Sequence, residues 1–132
     1  MNTKNATKYL TLILIGFCGM LVTHFVILLL LGFGDTASAH VPYYSLSYPV
    51  VYGVLGFILS RRQSDYGVFN ALALCAIPCL YWIGIILHDK VFPIDHVSIY
   101  DSSGMLLVMP MTVAISMVAM IIPLRKKTAN GH

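Results

Sequence analysis

The stretch HDKVFPIDHVSIYD, residues 88–101, gathers acids, imidazoles and a tyrosine in a chain otherwise dominated by hydrocarbon. Together with an earlier polar break holding Asp35 and His40, it offers His40, His88, Asp89, Asp95 and His96 as candidate metal ligands, with Asp101 close by. Imidazole nitrogens and carboxylate oxygens are the donors that zinc and similar divalent ions take, and three or four converging on one point make a site. His88-Asp89 and Asp95-His96 form two such pairs across a loop containing Pro93. The spacing matches no fixed metal motif, however, and residues adjacent in sequence point apart unless the loop folds back. A solvated loop accounts for the same residues. No cofactor is expected, and a divalent metal is the exception to test. Ala37-Ser38-Ala39 has the A-x-A form of a signal-peptide cleavage site, and cutting there would free His40 as an N-terminal, copper-type ligand. The preceding uncharged run, about 25 residues against about 7–15 in a signal peptide, predicts an uncleaved helix instead.

A second set of polar residues lies inside apolar runs: His24, Tyr48, Tyr52, Asn70 and Tyr81. An ionisable group at membrane depth is expensive, faces the protein interior and often marks a pathway or relay. A neutral imidazole is cheaper than a carboxylate, and a hydroxyl on a neighbouring helix can satisfy it. No aspartate falls within these runs and glutamate is absent from the chain. That weighs against proton-coupled export. Cys75-Ala76-Ile77-Pro78-Cys79 is one residue longer than a redox C-x-x-C pair. Apolar surroundings make thiols inert, so these cysteines read as small packing residues.

The elements that must position these groups follow from composition. Of 132 residues, 58% are hydrophobic and 10% charged, where a soluble domain carries about a quarter charged. Runs of roughly 20 apolar residues cross a bilayer. The chain offers four, near 9–33, 43–60, 66–88 and 104–124, with Gly34–Pro42 as a loop between the first two. The expectation is an all-α membrane protein: one domain over 1–132, folded as a four-transmembrane-helix antiparallel bundle.

Helix spacing marks the packing faces. Ser45, Pro49, Gly53, Gly56 and Ser60 form one small-residue stripe; Gly67, Ala71, Cys75 and Cys79 form another. Small residues let membrane helices approach closely. Met105, Met109, Thr112, Ser116 and Met120 form a soft face on the fourth run, suited to packing inward. Pro49, Pro78 and Pro110 could kink their helices and splay an outer vestibule lined by Tyr44, Tyr48, Tyr52, Tyr81, His88 and Met109. A tolerated proline and an interfacial tyrosine belt are the plainer account.

Charge sets the orientation. With four alternating spans, Lys4, Lys8, Arg61, Arg62, Arg125, Lys126 and Lys127 share one side and only Lys90 lies on the other. By the positive-inside rule both termini are cytoplasmic, N-in and C-in, in the plasma membrane. This segregation explains the net charge of +3 without nucleic acid. The expected partners are the lipid bilayer and either another protein or a second copy. The expected function is a noncatalytic accessory, regulatory or immunity-type membrane protein acting through helix–helix contacts and an extracytoplasmic loop. Two alternatives are a small oligomeric transporter or channel with an outward vestibule, and a metal-binding protein or metal-dependent enzyme built on the outer His/Asp cluster.

Overall fold

The computed structural model describes the backbone of residues 3–31, 37–62, 68–92 and 104–129, and side chains within 3–30, 43–61, 68–92 and 104–122. Four helices account for nearly all of it: α1 Thr3–Leu31, α2 Ala37–Arg62, α3 Val68–Val91 and α4 Met105–Ala129. Three of them, over Thr3–Leu30, Val68–Val91 and Met105–Ile122, are long and apolar enough to cross a membrane.

Three expectations are corrected here. The helices outrun the apolar segments, because hydropathy marks the hydrocarbon thickness and a helix can project beyond it. α1 starts at Thr3, where Thr7 and Thr11 turn their hydroxyls onto the carbonyls of Thr3 and Thr7, at 3.1 and 2.8 Å. These hydroxyls are satisfied by their own helix. The expected Gly34–Pro42 loop is likewise shorter, since α2 begins at Ala37 and runs through His40 and Pro42. Pro42 removes one donor near the helix start, a loss membrane helices tolerate.

The second correction concerns α2, which is long but less apolar than its neighbours. Tyr43, Tyr44, Tyr48 and Tyr52, with Ser45, Ser47 and Pro49, dilute its hydrocarbon. Apart from Tyr43, which is exposed, the tyrosines fall on one side. Tyr44, Tyr48 and Tyr52 are buried, whereas Leu46, Val50, Val54, Phe57 and Ile58 are exposed.

The contacts between helices define the arrangement. α2 packs most extensively on α4, and α1 on α3; α1 also meets α2, α3 meets α4, and α2 barely touches α3. Going round the bundle, the order is therefore α1, α2, α4, α3. Ser45 meets Met105 and Gly56 meets Ser116, so α2 and α4 run parallel. Gly16 meets Leu74 and His24 meets Trp82, so α1 and α3 do too. The expected antiparallel neighbours hold for α1/α2, where Gly16 meets Tyr52 and His24 meets Tyr44. They do not hold for α2/α3, which are joined by a short connection yet lie across a diagonal. The reason is steric. The backbone-to-backbone approaches that glycine permits are Gly16 of α1 on Leu74 of α3 and Gly56 of α2 on Ser116 of α4.

Candidate functional site: an aromatic cluster around His24

His24 lies seven residues before the end of α1, about 10 Å along the helix from Leu31. Its ring is surrounded by four others. Ring centroids stand 4.6 Å away at Tyr44, 5.3 Å at Tyr81, 6.1 Å at Tyr48 and 6.4 Å at Trp82. Tyr81 and Tyr48 meet the imidazole edge-on and Trp82 lies nearly parallel to it, arrangements favoured by ring quadrupoles. The cluster continues along α2, where Tyr48 stacks on Tyr52 at 5.8 Å. It therefore draws on α1, α2 and α3 together.

Hydrogen bonding fixes the imidazole. His24 Nδ1 is 3.0 Å from the carbonyl oxygen of Met20, one turn earlier, and 3.4 Å from the hydroxyl of Tyr48. One ring nitrogen carries either a proton or a lone pair. The shorter contact, to a carbonyl that can only accept, assigns Nδ1 as a donor to Met20. Tyr48 is then held chiefly by ring packing. The polar group that hydropathy flags at membrane depth is thus paired within its own helix.

The other polar residues within the apolar runs are inward or paired, except Tyr81. Tyr48 and Tyr52 have no exposed surface, Asn70 is buried near the opposite end of the bundle, and Tyr81 is partly exposed. Thr23 donates to the carbonyl of Gly19 at 2.7 Å and Thr112 to that of Val108 at 2.8 Å. Tyr44, Tyr48 and Tyr52 therefore do not line an open vestibule; they fill the core. Met109 is buried with them, and His88 is exposed at the end of α3.

The small-residue stripes are placed as follows. Ser45 donates to the sulfur of Met105 at 3.7 Å, and Gly53 faces Ile115. Gly56 is buried on the Ser116 backbone, and Ser60, also buried, donates to the carbonyl of Phe57 at 2.6 Å. Ala71 and Cys75 are buried, while Cys79 is half-buried in a cleft between α3 and α4 with Trp82, Met105 and Met109. Gly67 lies outside the described residues. All five members of the α4 face, Met105, Met109, Thr112, Ser116 and Met120, are buried.

Of the candidate metal ligands, His88 and Asp89 sit side by side, Nδ1 to Oδ1 3.6 Å apart. His40 falls in the first turns of α2, where only the backbone is described; Asp95, His96 and Asp101 lie outside the described residues. Among the described residues no three His, Cys, Asp or Glu side chains come together.

Two residues central to this architecture escaped the sequence reading. Trp82, the chain's one tryptophan, belongs to none of the small-residue or soft stripes that spacing marks. Gly16 has Gly19 three residues on but no small residue at the four-residue steps either side, Leu12 and Met20, so it makes no stripe. No family model matches the chain, and neither a curated protein nor a solved structure matches it.

Proposed function

We propose that the chain is a noncatalytic, multi-pass protein of the cytoplasmic membrane, with both termini in the cytoplasm, that binds a protein partner through its extracytoplasmic end. One observation carries the reading: the interior at the level of His24 is closed by rings. Tyr48 and Tyr52 are fully buried and Trp82 is 2% exposed. A path for solute through one protomer would need water where these side chains stand. The polar face of α2 is spent on this plug, and its opposite face is hydrocarbon like the outward faces of α1, α3 and α4. That supports α2 as a fourth span. The parallel and antiparallel pairings bring Lys4, Lys8, Arg61, Arg62 and the Arg125-Lys126-Lys127 run to one end, the cytoplasmic one by the positive-inside rule. Residues 93–103 then form the longest connection at the outer end, leaving it and the small-residue faces as the two recognition elements. The faces are consumed inside the bundle, so the outer end remains.

Reporters fused after Lys127 and within 61–65 are expected in the cytoplasm, and one within 89–101 outside. A cytoplasmic signal from 89–101 would overturn the orientation. Binding is tested with a photocross-linker at Phe92, at the outer end, and at Phe69, exposed near the inner end. A single adduct of defined mass from Phe92 and none from Phe69 is the expected result. Proton or small-cation flux through proteoliposomes holding the chain alone would overturn the reading in favour of transport.

A further inference from the structure

A groove of about 450 Å³ runs between α1 and α2, with Thr11, Cys18, Gly19 and Val22 on one wall and Val51 and Leu55 on the other. Its volume is that of a ligand pocket, yet it opens sideways on the face where the surrounding residues are hydrocarbon. Gly19, lacking a side chain, lets Leu55 of α2 close against α1 at the floor of the groove, with Tyr52 behind it. Thr11 presents only its methyl group, because its hydroxyl is engaged by the Thr7 carbonyl at 2.8 Å. The groove is therefore hydrocarbon throughout. From Thr11 to Val22 it extends about 17 Å along the helix. That is close to one leaflet, half of a hydrocarbon core roughly 30 Å thick.

The groove does not end in hydrocarbon. Lys4, Lys8, Thr11, Ile15, Cys18 and Val22 follow at spacings of 4, 3, 4, 3 and 4, one continuous stripe of α1. Two ammonium groups thus extend the line of the groove beyond Thr11. Arg61, in the last turn of antiparallel α2, reaches the same end of the bundle, but it lies over the ring of Phe57 at 4.7 Å, on a different side of α2 from the groove wall of Val51 and Leu55. Long basic side chains beside an apolar wall carry their stems along it and their charges to the interface. A trench one leaflet long with cations at its polar end is complementary to one kind of molecule. A partner helix would continue through both leaflets, and a soluble anion would have no use for the trench.

We propose that the α1–α2 groove, with Lys4 and Lys8 continuing its line, binds an anionic phospholipid of the inner leaflet. An acyl chain lies along Cys18 and Gly19, and the phosphate sits at the two ammonium groups of Lys4 and Lys8. The leaflet, though not the site, rests on the N-in orientation given above; the reporter fusions test that separately, so the two can fail independently.

The full-length chain in neutral detergent is offered phosphatidylglycerol or phosphatidylcholine of the same acyl length, and bound lipid is counted by native mass spectrometry. Phosphatidylglycerol is expected to be retained in preference. Lys4→Gln combined with Lys8→Gln is expected to weaken its binding roughly 30-fold, from about fivefold per surface charge. The control pair Lys126→Gln and Lys127→Gln is expected to leave it unchanged. Cys18→Trp fills the trench and is expected to reduce retention of both lipids; should it not fold, Val22→Phe makes the same test. Equal retention of the two lipids, an unaltered lysine double variant, or an equal loss in the control pair would overturn the proposal. So would inorganic phosphate displacing the bound lipid at millimolar concentration, because the site would then read phosphate alone.

Discussion

The hydroxyl of Tyr52 on α2 donates a 2.6 Å hydrogen bond to the carbonyl oxygen of Gly16 on α1. The same glycine is pressed against α3, where an added Cβ would run into the carbonyl oxygen of Leu74. One residue without a side chain therefore lets three helices meet. The Gly16 carbonyl has a second lone pair beyond its helical bond, and Tyr52 takes it. Hydrogen bonds between membrane helices contribute about 0.6 kcal/mol on average and up to about 1.7. Tyr52→Phe keeps the ring stacked on Tyr48 and removes only this bond, so a loss of about 1 kcal/mol is expected in reversible unfolding from mixed micelles. Tyr52→Ala, which also empties the core, is expected to cost several times more. Equal losses would mean the hydroxyl carries the whole effect.

The glycines separate by what surrounds them. A Cβ at Gly56 would stand 2.8 Å from the backbone oxygen of Ser116, which cannot swing aside as a side chain can. Gly56→Ala must push α4 from α2, at a cost of about 1–3 kcal/mol. Gly84 has nothing within 4 Å, so Gly84→Ala is expected to be neutral or slightly stabilising. The difference between their midpoints in one detergent is the measurement. Matching midpoints would show that the α2–α4 crossing yields to a methyl group.

How much of this was legible depended on what periodicity encodes. The α4 face from Met105 to Met120 was visible because a 3.6-residue repeat of soft and small residues marks an inward side, whatever it packs against. The partner of each face was not visible. Nothing in the stripe from Ser45 to Ser60 says that α4, rather than the sequence neighbour α3, lies on it, since close approach depends on backbone shape at both helices. Tyr44, Tyr48 and Tyr52 misled for a related reason. Tyrosine is amphipathic, and its spacing is the same whether it belts an interface, lines a vestibule or, as here, fills a core around His24. Trp82 and Gly16 act singly, without a repeat, and a periodic reading has no purchase on a single residue.

Three cysteines, all within apolar sequence, have different exposures. Cys18 is exposed on the outward side of α1, Cys79 is half-buried in the α3–α4 cleft and Cys75 is buried in the core. In the proposed membrane setting that exposure is to hydrocarbon, so a water-soluble maleimide is expected to label none of them quickly in intact membranes. A lipophilic maleimide is expected to label Cys18 first, Cys79 more slowly and Cys75 only after denaturation. Mass spectrometry of digested protein gives the order. Fast labelling of Cys79 by the water-soluble reagent from outside would show that the cleft is wet, which the apolar lining by Ile83, Ile86 and Val113 argues against.

His88 and Asp89 are a metal-like pair that geometry leaves loose. Their contact is 3.6 Å, beyond hydrogen-bonding range, and the His88 side chain is 63% exposed and rests against Phe92. A metal-bound imidazole is held by a second hydrogen bond from its other nitrogen. The positive-inside rule already empties outer loops of lysine and arginine, so acids and histidines gather there without a metal to hold. The expected outcome is that adding zinc or copper, or a chelator, leaves the melting midpoint unchanged in the wild type and in His88→Ala and His96→Ala. The opposite result is readable. At a hundred times its dissociation constant, one bound ion stabilises the folded state by about 2.7 kcal/mol, which raises a midpoint by several degrees. A rise of that size, absent in either histidine variant, would make His88 and His96 ligands of a metal site.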